Sequence, residues 1–271
     1  MSTFTVACVQ TTSSREVATN IEAVGGLVRD AADAGADFIL VPETVNLMEP
    51  KGSQMREKAA PEADCTFLAA LRDIARDKGV WLLLGSLVVF GEEDKTVNRS
   101  ILIGPDGEIT ARYDKVHMFD VDLGDGEYYR ESKSYEAGAR AVTADLPWGR
   151  LGLSVCYDMR FPYLYRQLAK AGADFLAVPS AFTRPTGEAH WHVLLRARAI
   201  ENGCYVFAPA QCGAHDGGRK TYGHSLIIDP WGRVLADGGE EPGIISAEID
   251  SEQIAEARTK IPSLSHDRDI G

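Results

Sequence analysis

The chain has 271 residues, 45% of them apolar and 25% charged, with a mean hydropathy of −0.15, the profile of a soluble globular protein and not of a membrane or disordered one. A formal charge of −12 and a pI of about 5.0 repel phosphate backbones and anionic lipid, so neither nucleic acid nor a membrane is expected as a partner. Five cysteines, odd in number, widely spaced and without a C-x-x-C pair, argue against a disulfide scaffold or a zinc finger.

Met1-Ser2-Thr3-Phe4 runs straight into a strand-like pattern, with no basic stretch followed by an apolar one. That predicts a cytoplasmic protein. The next helical stretch ends in Ala34-Gly35, with glycine where a left-handed residue is wanted. The apolar run Phe38-Ile39-Leu40-Val41 follows as a buried strand and stops at Pro42-Glu43. A helix is predicted over 64–75, with Asp64 as N-cap and Gly79 past its end, then a buried strand over 80–87. Residues 100–109 read as a hairpin turned by Pro105-Asp106-Gly107.

The second half of the chain repeats this order. Ala171-Gly172-Ala173-Asp174-Phe175 echoes Ala34-Gly35-Ala36-Asp37-Phe38, and the strand again stops at Pro179-Ser180. A helix over about 188–202 is stopped by Gly203, a buried strand covers 204–209, and residues 225–234 form a hairpin through Pro230-Trp231-Gly232. Two similar mixed halves without a linker predict one domain over 1–271 with a tail from about 250. The fold class is α/β, a four-layer αββα sandwich with an internal two-fold pseudo-repeat.

Three residues stand out chemically. Cys156 ends the run Leu151-Gly152-Leu153-Ser154-Val155 and precedes Pro162 at a helix start, so a thiol sits at a strand–turn–helix junction where backbone N–H groups point outward. A lone cysteine in such a place is more often an inert buried side chain. Glu43 lies where a buried strand emerges. There, partial desolvation would raise a carboxylate toward the range of a general base, although an exposed acid at a strand end is the commoner case. Lys115, in Tyr113-Asp114-Lys115-Val116-His117, either stabilises an oxyanion or is solvated after a hairpin. Gly213 to Thr221 loosely suggests a phosphate loop, but Arg219 stands where lysine is required. His190 and His192 face different ways on a helix, and no H-E-x-x-H occurs, so no metal is expected.

Glu43, Lys115 and Cys156, in this order and within the segments 39–43, 113–122 and 152–162, resemble the nitrilase (carbon–nitrogen hydrolase) superfamily over essentially the whole chain. Cys156-Tyr157-Asp158-Met159-Arg160-Phe161-Pro162 is similar to the signature of its Nit branch. The resemblance implies the αββα sandwich and a cofactor-independent amidase with Cys156 as nucleophile, Glu43 as general acid and base and Lys115 as oxyanion stabiliser. It maps a fourth polar residue onto Glu131, with Glu127 the weaker match, and the backbone N–H of Tyr157 onto a second oxyanion donor. Phe182, Arg160 and His192 are the implied substrate contacts; His192 stands where the family commonly has Glu. Segments 210–213 and 222–232 are more similar to amidases of deaminated glutathione than to ω-amidases acting on 2-oxoglutaramate. The implied reaction therefore gives 2-oxoglutarate and Cys-Gly from a small-molecule amide. ω-Amidase activity on 2-oxoglutaramate, hydrolysis of N-carbamoyl compounds and a catalytically silent scaffold of the same fold are the alternatives. The resemblance also implies a homodimer or larger assembly, through the helix at 163–170 and the tail after Asp250.

Overall fold

The computed structural model describes residues 3–91, 95–124 and 126–268. Strand β1 (Thr3–Gln10) leads into α1 (Val17–Asp33), which buries Val24, Val28 and Ala31 at helical spacing. The chain leaves α1 through Gly35, with φ 93°, and enters the fully buried β2 (Phe38–Val41). The short helix α2 (Gly52–Lys58) precedes α3 (Thr66–Lys78), which ends at the left-handed Gly79 as expected. Its start differs from the sequence reading. Cys65 is the N-cap, because Asp64 closes a 3-10 turn over Glu62–Asp64. Strands β3 (Trp81–Phe90), β4 (Thr96–Ile103) and β5 (Ile109–Asp114) are antiparallel, and the Pro-x-Gly turn joins β4 to β5.

An excursion follows: the hairpin of β6 (Asp120–Gly124) and β7 (Glu127–Arg130), then β8 (Tyr135–Glu136) beside β4. The second half begins with β9 (Val142–Leu146), β10 (Gly149–Leu153) and α4 (Pro162–Lys170), continuing through β11 (Phe175–Ala177). Helix α5 (Arg184–Asn202) starts four residues before the expected 188, because Pro185, lacking an N–H, fits a first turn where none is needed. Strand β12 (Tyr205–Ala208), the hairpin of β13 (Cys212–Ala214) and β14 (Lys220–Tyr222), and the pair β15 (Leu226–Ile228) and β16 (Val234–Asp237) complete it. Strand β17 (Gly243–Asp250) returns to pair with β1, and α6 (Glu252–Lys260) forms the tail.

The pseudo-repeat is written in the sheet topology. One sheet runs β17-β1-β2-β3-β4-β5, the other β9-β10-β11-β12-β15-β16. In each, three parallel strands are flanked by antiparallel ones in the same order. Phe38 meets Phe207 edge-on at 6.2 Å and Phe4 meets Phe175 at 5.4 Å, so the sheets face one another across an aromatic core. The other face of the first sheet, with Ile39, Val41, Leu82 and Leu84, packs on Val24, Val28, Phe67 and Leu71 of α1 and α3. The second sheet is backed by α4 and α5 through Leu168, Trp191 and Leu195. That is the four-layer αββα arrangement.

The tail packs on its own chain. Arg258 of α6 donates to the Ala173 carbonyl at 2.6 Å and pairs with Asp174, and Asp267 pairs with Arg166 of α4. The loops after β2 and β11 approach closely at Gly85, where a Cβ would lie 2.0 Å from the Val41 carbonyl and 2.4 Å from Pro179. Only glycine fits there. Glu43, Lys115, Cys156 and Ala181 all follow the carboxyl ends of strands β2, β5, β10 and β11, the edge where α/β sheets hold ligands.

Candidate active site

Lys115 has its charged end buried between two carboxylates. Its Nζ donates to Glu43 Oε1 at 2.9 Å and to both oxygens of Glu131 at 2.9 Å. Glu43 accepts further bonds from Asn98 Nδ2 at 2.9 Å and, through Oε2, from the Ala181 N–H at 2.7 Å. The Phe119 N–H holds Glu131 Oε2 at 2.6 Å, and Asn98 Nδ2 also reaches Glu131 at 3.3 Å. The first half of the repeat thus supplies the carboxylate, and the second, through the loop after β11, supplies a backbone donor that orients it.

Cys156 opens a 3-10 turn over Cys156–Arg160 and has φ 50°, a left-handed conformation unusual for a residue with a side chain. Thr44, beside Glu43, is similarly strained at φ 49°. The Cys156 N–H donates to the Pro179 carbonyl at 2.9 Å, locking the turn to the loop after β11. Its alternation with Gly152 and Ser154 ends at this turn. Ser154 bonds Tyr165 of α4 at 2.7 Å, whereas Cys156 lines the same cavity as Glu43 and Lys115, close enough for both charges to act on its thiol.

Asp158, fully buried, fixes the turn. It accepts the Val155 N–H at 2.9 Å, the Tyr113 hydroxyl at 2.7 Å, the His117 N–H at 3.0 Å and His117 Nδ1 at 2.6 Å. Tyr113 and His117 point to Asp158, and Lys115 between them points to Glu43. Period-two alternation therefore couples the ammonium to the thiol turn. Neither Asn98 nor Asp158 was singled out from the sequence. An amide in the polar first half of β4, beside Arg99 and Ser100, carries no pattern that marks it, and an acid two residues after the cysteine is the one signal available for Asp158.

The electrostatics depart from the sequence expectation at Glu43. Burial raises its pKa, but the Lys115 ammonium and its hydrogen bond more than offset this, so the carboxyl is held below its ordinary range. Burial and the neighbouring Glu43 charge push the Cys156 thiol well up. Burial opposes the Lys115 charge, but Glu131 and Glu43 outweigh it and hold the ammonium well above its ordinary value. The resting set is a protonated thiol, a carboxylate and an ammonium.

These groups line a cavity of about 780 Å³, the size of a small-molecule site. Glu43, Lys115, Glu131, Cys156, Tyr157 and Phe182 all face it, as does Glu127. Arg160 and His192 are not among its lining residues. Arg160 stacks over Phe182 and Tyr157, its guanidinium 3.3 Å from His190, and the half-buried His192 of α5 packs on Tyr222 and His224. There His192 Nε2 and His224 Nδ1 converge on the Asp237 carboxylate at 3.0 and 2.8 Å. The three ligand-type atoms fall within 4.8 Å of one another, and the carboxylate already partners both rings. Among the described residues no helix is long and apolar enough to cross a membrane.

A sequence profile of the carbon–nitrogen hydrolases matches residues 5–259. The chain is 44% identical over 270 residues to a Synechocystis protein named deaminated glutathione amidase, covering 98% of each. It is 39% identical over 279 residues to the human protein of the same name, covering 97% of this chain and 82% of that one. The crystal structure of the C. elegans NitFhit protein matches with a TM-score of 0.92 at 38% identity over 98% of this chain. This chain spans 65% of the NitFhit chain.

Proposed function

Because this chain belongs to the carbon–nitrogen hydrolase family and is a hydrolase of amide bonds, we propose that it works through a thioester on Cys156, with deaminated glutathione as substrate. One observation carries the mechanism: a thiol, a carboxylate and an ammonium, separated by tens of residues in sequence, meet on the floor of one cavity.

Glu43 takes the thiol proton as Sγ attacks the amide carbonyl, and the carbonyl π pair becomes an oxyanion beside Lys115 and the Tyr157 N–H. The depressed pKa of Glu43 makes this transfer unfavourable in the empty site. As negative charge develops next to Lys115, the ammonium's hold on Glu43 is shared with the oxyanion, and the carboxylate becomes a stronger base at the moment it must accept a proton. The oxyanion then collapses, the carbon–nitrogen bond breaks, and Glu43 returns its proton to the departing amine. Water attacks the thioester with Glu43 again taking a proton, the carbon–sulfur bond breaks, and the thiol is re-formed as the acid leaves. Glu131 acts by holding Lys115 in place. No step calls for a cofactor.

For deaminated glutathione the acyl group is 2-oxoglutaryl and the leaving amine is Cys-Gly. The relatives named for that activity, matched from end to end at 44% identity, support this choice. Comparing turnover of deaminated glutathione with that of 2-oxoglutaramate tests it, and faster 2-oxoglutaramate hydrolysis overturns it. Mass spectrometry of the intact protein mixed with substrate should show an acyl adduct on Cys156, absent from Cys156→Ala.

The five cysteines are unpaired, in keeping with a reducing compartment such as the cytoplasm. Tyr163 on α4 and Val193 and Ile200 on α5 are exposed, apolar and on the outer layer, which favours a homodimer or larger assembly through these helices. A monodisperse monomer by light scattering would count against it.

A further inference from the structure

The phosphate-loop mimic in 213–221 places one residue that the amidase chemistry does not use. Arg219 ends the turn between β13 and β14, reached through Gly217 and Gly218, both left-handed at φ 85° and 89°. The turn is anchored. His215 is buried, with Nδ1 3.0 Å from the Ser13 carbonyl and Nε2 2.7 Å from Thr221 Oγ1, and its N–H donates to the Arg219 carbonyl at 2.8 Å. From this fixed base the half-buried Arg219 side chain enters the cavity. Its Nη2 donates to the Ala181 carbonyl at 2.5 Å and its guanidinium lies 5.6 Å from the Tyr129 ring centre. Ala181 is the residue whose N–H holds Glu43.

One feature sets Arg219 apart from the other cations of the cavity. Its Nε is buried and has no hydrogen-bond partner. Among the described residues no carboxylate lies within ion-pair distance of it, as for Arg130 and Lys220, whereas Lys115 has Glu43 and Glu131, and Arg184 has Glu188 and Glu240. A planar fork with a desolvated, unsatisfied N–H and no counter-ion is built to receive an oxyanion in two-point contact, and an empty site leaves that demand unmet.

We propose that Arg219 is a specificity-determining residue that grips a carboxylate of the amide substrate. The inference rests on the amidase reading above and deepens it: this site selects amides that carry a carboxylate. Two carboxylates of deaminated glutathione could fill the role, that of the 2-oxo acyl half and that of the departing dipeptide.

The test uses the full chain with Arg219→Gln and Arg219→Lys. Deaminated glutathione, 2-oxoglutaramate and a neutral ester, p-nitrophenyl butyrate, serve as substrates. In Arg219→Gln, kcat/KM for a carboxylate substrate should fall about 10²-fold further than for the neutral ester, mostly through KM, as loss of a charged two-point contact implies. Arg219→Lys should recover part of this loss. A loss for both amides assigns the acyl carboxylate; a loss for deaminated glutathione alone assigns the dipeptide carboxylate. Equal losses for neutral and charged substrates, or none, overturn the proposal. Binding of 2-oxoglutarate and of Cys-Gly, read as thermal shifts, separates this from the amidase reading. If neither product's shift depends on Arg219, the proposal fails even where both amides are hydrolysed. If wild type hydrolyses neither amide while an Arg219-dependent shift remains, the substrate assignment fails and the carboxylate site stands.

Discussion

The Tyr113 hydroxyl donates a 2.7 Å hydrogen bond to the Asp158 carboxylate, tying the residue two before the buried ammonium to the residue two after the thiol. Asp158 also closes the thiol turn through Val155 and clamps His117. Asp158→Asn keeps the shape but turns one oxygen into a donor facing donors. We expect a loss of about 3 kcal/mol in unfolding free energy, with slower alkylation of Cys156 by iodoacetamide. Denaturant melts and alkylation rates check it, and an Asp158→Asn protein with wild-type values of both would show that the turn is held by its backbone alone.

Glu43→Gln removes the proton acceptor while keeping an amide of similar size within reach of Asn98 and Lys115. The kcat for the amide should fall about 10³-fold, the scale of a general base, with a smaller change in KM. Residual activity above a tenth of wild type would transfer the base role to another group, and Glu131 is the only other carboxylate bonded to Lys115 among the described residues.

The pH behaviour follows from the directions of shift. Glu43 is depressed when folded, so the stability it contributes is present above the unfolded pKa of about 4.3 and lost as pH falls through the lower folded value. Lys115 is raised, so its contribution is present below about 10.4 and lost only as pH rises through the higher folded value. The acid limb of kcat/KM should accordingly lie below about 4.3. Lys115→Met removes the ammonium and leaves burial, which raises Glu43, opposed by the weaker pull of Arg219, so the acid limb of Cys156 alkylation should move upward. An unmoved limb would mean that Lys115 does not set the proton affinity of Glu43.

Much of this was legible because the chain states its architecture twice. Gly35 and Gly172 mark equivalent helix exits, with φ 93° and 92°, and the apolar runs they introduce became β2 and β11 at the same place in each sheet. Residues that close a site through a single bond carried no such pattern. Asp64 has the residue type of an N-cap but closes a 3-10 turn instead, and Arg184 starts α5 within a polar stretch that does not mark a helix start. The depressed pKa of Glu43 depends on an ammonium 72 residues away, and the resemblance that implies Arg160 and His192 as substrate contacts carries no information on which way a side chain leaves its turn or helix; neither lines the cavity.

Asn98 shows what such an unmarked residue contributes. Its amide donates to Glu43 at 2.9 Å and Glu131 at 3.3 Å, so one side chain holds both carboxylates against their mutual repulsion around Lys115. Its backbone carbonyl accepts the Lys115 backbone N–H at 3.0 Å, which fixes the main chain from which the Lys115 side chain extends. Asn98→Ala keeps the backbone bond and removes the amide. Glu43 Oε1 then depends on Lys115 alone, and we expect kcat to fall about tenfold to 10²-fold with KM little altered, as for a positioning group. Asn98→Asp should do worse, because a third carboxylate facing the other two favours protonation and should move the acid limb of kcat/KM upward. If Asn98→Ala retains full kcat, the Ala181 N–H and Lys115 suffice to orient Glu43. If Asn98→Asp loses activity without moving the acid limb, its effect is steric, and the electrostatic account of this cluster is wrong.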